Sequence, residues 1–326
     1  MMAYAEARRI DAGVIPVIDI APLRDGSDPM TVARALHAAS RDIGFIYVRG
    51  HGIPASAIET ARETAFRFFR APEEDKATVA VTSSHRGWLA RGGARMQDDA
   101  RPDLKESFIW GYQDELGRIP ADHPLRGPNL WPEFLPDLEI AAMSYFGHVH
   151  TVAHHLMRGF ALGLGLVPEF FLRTASRPLS RASFVYYPPQ DAAMGEDQFG
   201  VGPHTDFGVL TVLCQDAVGG LQVQTLDGEW VHAPPIEDAL VVNVGDLLGR
   251  WTDGAYRSTP HRVVNSSGRE RLSLVLAFDP DPETVIDARE VFGPEREAAE
   301  PPITCGDYLV WRFGRAFSYR ERREGQ

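Results

Sequence analysis

Residues 203–214 read Pro-His-Thr-Asp-Phe-Gly-Val-Leu-Thr-Val-Leu-Cys, a His-x-Asp pair at His204 and Asp206 running into an aliphatic, β-branched stretch. Runs of the same character recur around it: SFVYY (183–187), GLQVQT (220–225), EWVHA (229–233), ALVVNVG (239–245), HRVVN (261–265) and RLSLVLAF (271–278). Such residues suit a pleated surface, and the Gly, Pro and Asp between the runs break it, so each run predicts a strand. Leu226-Asp227-Gly228-Glu229 links two of them, and Asp-Gly between strand patterns is a hairpin signal. Seven or eight short strands within about 100 residues predict a sandwich or jelly roll.

Upstream of Ser180 the periodicity changes. Val14–Ile20 and Phe45–Val48 read as strands, while Val32, Leu36, Ala39 and Ile43 recur at helical steps within Met30–Ile43. A second helix is expected over Ser56–Arg70, a long one over Leu138–Gly163 and a short one over Pro168–Thr174. Thr82–Pro136 reads as loop-rich, and Cys305–Arg322 returns to a helical pattern. The expected fold is therefore mainly β, a distorted double-stranded β-helix or jelly-roll core with a helical N-terminal region and a C-terminal helix.

Composition bounds the function. The chain has 326 residues with a net charge of −12, which argues against nucleic acid or anionic lipid as partners and makes a small molecule the default. It contains no apolar run near the ~20 residues that span a bilayer. The N-terminus lacks a signal-peptide pattern, so a cytoplasmic protein is expected. Cys214 and Cys305 are the two cysteines, too few for a thiolate metal cage or a disulfide framework, in keeping with a reducing compartment.

The chemistry-bearing residues lie in the β block. On a strand, residues two apart share a face, so His204 and Asp206 are expected to grip one ion while Thr205 faces away. A third ligand from a neighbouring strand is available in His261, at the start of HRVV. Two histidines and a carboxylate on one face leave the opposite positions open, the arrangement of non-haem Fe(II) oxygenases, whereas a structural zinc site closes its shell. The plainer alternative, a strand-end hydrogen bond between His204 and Asp206 with His261 unrelated, stays open on spacing alone. Arg271 and Ser273 form a second same-face pair, a guanidinium fork and a hydroxyl suited to anchoring a carboxylate; an internal Asp or Glu is the competing partner.

Beyond these patterns, the chain resembles the isopenicillin N synthase-like branch of the Fe(II)/2-oxoglutarate-dependent oxygenases. IPVIDIAPL, GFIYVRGHGI, DLKESF and GPNLWP resemble that family's N-terminal region. YYPP, HTDFGVLTVL, QDAVGGLQV, VVNVGDLL, STPHRVV and RLSLVLAFDP resemble its catalytic core. The resemblance implies three regions: an N-terminal mixed α/β region (1–176), a jelly-roll core (177–285) and a C-terminal helical tail (286–326). It implies His204, Asp206 and His261 as iron ligands, and Arg271, Ser273 and Tyr187 as donors to the distal carboxylate of 2-oxoglutarate. Tyr186 and Tyr187 cannot both point inward on a regular strand. Val185 stands where plant relatives often have Asn, which removes one cosubstrate contact.

The implied activity is that of a dioxygenase, an oxidoreductase using Fe(II), 2-oxoglutarate and O2 to oxidise a C–H bond of a small molecule, with release of succinate and CO2. Two alternatives remain: an oxidase that uses the iron site without 2-oxoglutarate, and a non-catalytic ligand-binding jelly roll. Family analogy also sets the Arg86–Arg95 loop, the strand-like stretch Phe108–Trp110, Phe207 and Phe278 near the pocket mouth, with Arg91 and Arg95 as candidates to meet an anionic substrate. The His150–His154 pair lacks the Glu of a His-Glu-x-x-His zinc motif and reads as packing, and His51 reads as a turn residue.

Overall fold

The computed structural model describes residues 14–94, 102–114, 122–189, 199–265, 267–317 and 319. The first half runs β1 (Val17–Asp19), α1 (Ala21–Arg24), α2 (Pro29–Asp42), β2 (Phe45–Arg49), α3 (Ala55–Phe69), α4 (Glu73–Ala77), β3 (Gly87–Leu89), β4 (Glu106–Gly111) and α5 (Asp137–Gly163). Eight strands and one helix follow: β5 (Arg181–Tyr187), β6 (Val201–His204), β7 (Leu210–Gln215), β8 (Leu221–Gln224), β9 (Trp230–His232), β10 (Leu240–Val244), α6 (Asp246–Trp251), β11 (His261–Val263) and β12 (Arg271–Phe278). The chain then passes through β13 (Val285–Ile286), α7 (Ala288–Phe292) and β14 (Ile303–Thr304) into α8 (Cys305–Ala316).

Local chemistry sets the helix boundaries. Asp28 caps α2 by accepting from Thr31 N at 3.1 Å with Pro29 opening the first turn, and Thr304 caps α8 by accepting from Asp307 N at 3.1 Å. The expected helix at 168–174 is instead a run of turns. Its bonds are mostly i to i+3, as in Phe170 N to Val167 O at 3.0 Å, and Phe170 and Phe171 anchor it against Trp251. The loop-rich stretch contains β3, which has no strand-like pattern of its own, and β4, which includes the strand-like Phe108–Trp110.

The major sheet has the order β1-β2-β10-β7-β12-β5-β4-β3, and the minor sheet β6-β11-β8-β9. Strands from before residue 177 thus extend the same sheet as the core: β2 pairs with β10, and β4 with β5. Strand alternation divides the major sheet's side chains between two cores. Phe184, Tyr186, Leu272, Leu274 and Leu276 pack beneath α3 and α5, while Val185 and Tyr187 meet Leu221 and Val223 of the minor sheet. The space between the sheets, closed on one side by α8, holds the candidate site.

Candidate active site

β6 ends at His204 and β11 begins at His261, and the antiparallel register sets these two residues opposite each other. His204 donates its Nδ1–H to Gly202 O at 2.8 Å and His261 to Thr259 O at 3.1 Å. A carbonyl only accepts, so both tautomers are fixed and both Nε2 lone pairs are free. Each Nε2 lies 3.7 Å from Asp206 Oδ1. Two ligand atoms each about 2.1 Å from one ion are at most about 4.2 Å apart, so these spacings fit a shared metal. Among the described residues this is the one group of three or more His, Cys, Asp or Glu side chains placed to hold a metal ion.

Asp206 reaches this position differently from the expectation. It is not on β6, which stops at His204; it lies in the following loop, and Thr205 also lines the cavity. The loop is pinned by Asp246 N donating to Asp206 O at 2.7 Å, and the carboxylate by Asn243 Nδ2 donating to Oδ2 at 2.7 Å. That bond leaves Oδ1 for the ion. Gly245 permits the approach, since a Cβ there would sit 2.2 Å from Gly208 O.

Charge in the cluster suits metal binding. Burial first, and then the neighbouring His261, push the His204 pKa down to about 3, so its ring is neutral. Burial pushes the other way on Asp206, but the two histidines and the hydrogen bonds from Asn243 and Thr211 outweigh it and hold the carboxyl at about 2.

Arg271, Ser273, Val275 and Ala277 of β12 and Arg181, Ser183, Val185 and Tyr187 of β5 line one wall of a cavity of about 200 Å³ that also contains the triad. Arg271 is fully buried, and its Nε donates to Gly219 O. Its two terminal nitrogens and the Ser273 hydroxyl have no partner among the described residues. Among the described residues no Asp or Glu supplies one: Asp216 is occupied by the backbone N–H groups of Leu272 (2.6 Å) and Val218 (2.9 Å). A buried, unpaired charged donor is costly, so this fork and hydroxyl call for an anion that the described residues do not supply. Tyr187 lies beneath the guanidinium, its ring 4.5 Å from Arg271 Cζ, whereas Tyr186 turns to the other face, bonding Glu270 and stacking on Phe69.

The peripheral expectations fare unevenly. Phe207 lines the cavity, but Phe108 and Trp110 face the helical core, and Ser107 and Ile109 between and beside them face the cavity instead. Phe278 packs against His150 and His154, away from the mouth, because its strand phase is that of Leu276. Arg86 is buried with its guanidinium on the carbonyls of Ser84 and His85; Arg91 is exposed and outside the cavity; Arg95 lies outside the described residues. His51 accepts from Ile53 N in a turn. Asn243, Arg181, Phe313 and Phe317 were missed. Asn243 alone had a signal, a polar residue inside the apolar run VVNV; the others depend on which faces meet in three dimensions.

Comparison with known proteins agrees with this geometry. Residues 15–134 match the family model of the non-haem dioxygenase in morphine synthesis N-terminal region, and residues 180–280 that of the 2OG-Fe(II) oxygenase superfamily. Homoarginine-6-hydroxylase of rice is 33% identical, with 92% of this chain and 96% of the relative covered. Validamycin A dioxygenase of Streptomyces hygroscopicus subsp. limoneus is 36% identical over 83% of this chain and 78% of the relative. The crystal structure of a full-length Neurospora crassa protein in complex with alpha-KG and thymine superposes with a TM-score of 0.83 at 29% identity, covering 95% of this chain and 99% of that one. No helix among the described residues is long and apolar enough to cross a membrane. The chain belongs to the 2OG-Fe(II) oxygenase superfamily, in its isopenicillin N synthase-like branch, and is an Fe(II)- and 2-oxoglutarate-dependent oxygenase of small molecules.

Proposed function

We propose that His204, Asp206 and His261 hold the Fe(II), and that Arg271 and Ser273, with Tyr187 beside them, hold the distal carboxylate of 2-oxoglutarate. The observation that supports this most is the orphaned donor set: two guanidinium nitrogens and one hydroxyl, all buried, in the same cavity as the triad. A carboxylate satisfies all three, the fork bidentately and Ser273 as an added donor.

When bound, iron and 2-oxoglutarate supply the oxidising power, O2 and 2-oxoglutarate going to succinate and CO2 while the substrate C–H bond is oxidised. The protein's share is orientation and exclusion. The carbonyls of Gly202 and Thr259 fix the histidine rings, Asn243 fixes the carboxylate, and the facial set leaves the side toward the cavity open. Arg271 and Ser273, with the ring of Tyr187 beneath the guanidinium, would hold the far carboxylate of the cosubstrate in the cavity that also contains the triad. Phe207, Phe313, Phe317, Leu89 and Ile109 keep the substrate side apolar. We further infer a cytoplasmic setting, supported by two buried, free cysteines.

The test is an anaerobic titration of metal-free protein with Fe(II) and then 2-oxoglutarate, following the visible charge-transfer band of the chelate. The band is expected to form in the wild type and to weaken in Arg271→Ala. Iron binding without a band would overturn the cosubstrate assignment.

A further inference from the structure

The cavity holds a second arginine that neither the triad nor the cosubstrate anchor uses. Arg181 is the register partner of Ala277 on β12, Ala277 of Thr211 on β7, and Thr211 of Asn243 on β10. This row of the sheet is therefore level with Asn243, which holds Asp206. Arg271 lies six residues back along β12, roughly 20 Å at strand rise. Arg181 thus stands at the height of the metal ligands, at the opposite end of the cavity from the guanidinium assigned to 2-oxoglutarate.

Its surroundings present it to the cavity. Arg181 Nη1 donates to Asp279 Oδ2 at 2.6 Å, and Asp279 is fully buried behind it, accepting also from Val209 N at 3.0 Å. Asp279 does not line the cavity; Arg181 does. The Phe313 ring of α8 lies 4.6 Å from Arg181 Cζ, and the other nitrogens of the fork have no hydrogen-bond partner among the described residues. Behind the pair, buried Arg86 has its pKa pushed down to about 9 by burial and then by repulsion from Arg181, yet stays charged at neutral pH. Asp279 is paired with Arg181, and Arg86 bonds the carbonyls of Ser84 and His85 with no carboxylate paired to it among the described residues, so the local field favours an anion.

The complement of acidic groups decides the sign. Among the cavity-lining residues described, the one carboxylate is Asp206, which is committed to the triad, so an ammonium or guanidinium on a substrate would find no counter-ion among them. The remaining lining includes Phe207, Phe313, Phe317, Leu89 and Ile109, with His85 packed on Phe313 and Phe317, and Lys105 as a further cation that is paired with Asp103. We propose that the substrate is an organic acid with an aromatic or aliphatic body, its carboxylate held by the Arg181 fork and its body lying against the α8 phenylalanines so that a C–H bond faces the metal. This rests on the assignment of the triad and Arg271 made above.

Arg181→Met alone would strand Asp279 as a buried unpaired charge, so the informative variant is Arg181→Met with Asp279→Asn, accompanied by Arg181→Lys. Three matched probes, 3-phenylpropanoate, 3-phenylpropanamide and 3-phenylpropylamine, and the hexanoate, hexanamide and hexylamine trio, are titrated anaerobically into protein carrying Fe(II) and 2-oxoglutarate. Binding is read by calorimetry and by perturbation of the visible band. In the wild type at least one acid is expected to bind about 10-fold or more tighter than its amide, with the amine weakest. In the double variant that preference falls to about one while the 2-oxoglutarate band persists, and Arg181→Lys retains part of it. An amide or amine binding as well as the acid, no acid binding up to about 10 mM, or an acid preference that survives the double variant would each overturn the proposal. A wild type that shows no band with Fe(II) and 2-oxoglutarate would instead remove the cosubstrate assignment, a failure visible before any probe is added.

Discussion

His204 and His261 are register partners at the ends of two antiparallel strands, their ring centroids 4.2 Å apart, and both Nε2 atoms stand at the same 3.7 Å from Asp206 Oδ1. The pairing of β6 with β11 thus builds two-thirds of the proposed ligand set as a consequence of backbone hydrogen bonding. The carboxylate is added by a loop, and its position depends on side chains elsewhere. Asn243 is the clearest of these.

Asn243→Ala removes the donor to Asp206 Oδ2 without touching the ligands themselves. Fe(II) affinity is expected to fall about 10- to 100-fold, measured anaerobically by competition with a chromogenic chelator. Unchanged affinity would show that the 206–208 loop orients the carboxylate unaided.

Arg271→Ala is expected to raise the KM for 2-oxoglutarate about 10- to 150-fold, the equivalent of losing one charged hydrogen bond of about 1.5–3 kcal/mol. Arg271→Lys also loses most of the affinity, because a point charge cannot reproduce the fork. Succinate formation against 2-oxoglutarate concentration measures both. A KM within about twofold of the wild type would remove the residue from the cosubstrate site.

Gly245→Ala tests the close approach beneath Asp206. Its new Cβ would meet the Gly208 carbonyl at 2.2 Å, so the backbone must move. Overpacking of this kind costs about 1–3 kcal/mol, and the shift carries Asp206 with it. A lower urea midpoint together with reduced bound iron is expected; reduced stability with normal iron content would separate the turn from the ligand.

His150 is a half-buried, neutral histidine stacked on Phe146, bonded to the Ser180 hydroxyl and packed against Phe278. Burial, and then His154, lower its pKa from 6.5 to about 3. Because the unfolded chain takes up the proton first as pH falls, stability contributed by the neutral ring is present above about pH 6.5 and is lost progressively toward pH 3. Between pH 7 and pH 5 this one group accounts for a loss of about 2 kcal/mol. Urea unfolding of His150→Phe at the two pH values is expected to show a difference smaller by about that amount; an unchanged difference would mean that other groups carry the acid sensitivity.

Much of the fold was legible in local pattern. Helix stripes such as Val32, Leu36 and Ala39 and the seven β runs after Ser180 declare which face is apolar, and burial of that face specifies the element. The 168–174 stretch departs from its helical pattern because its two adjacent phenylalanines are held by Trp251, a contact that local periodicity does not encode. Phe108, Trp110 and Phe278 lie on the side away from the one expected for a related reason: each has a definite phase on its strand, but which phase meets the cavity depends on the opposing sheet.

By itself, the sequence determined the chemistry available: a His-x-Asp pair, a distant histidine, an arginine and serine two apart, and the strand pattern to display them. Those are properties of residue type and of periods two and 3.6, which are set by the backbone and carried in short segments. Only the tertiary structure decided that His204 opposes His261, that Asp206 leaves the strand and is steadied by Asn243, and that the Arg271 fork finds no carboxylate among the described residues while Arg181 stands at the far end of the same cavity. Such relations join residues tens to hundreds of positions apart, and they are fixed by sheet register and by the packing of one layer on another, which no local window of sequence contains.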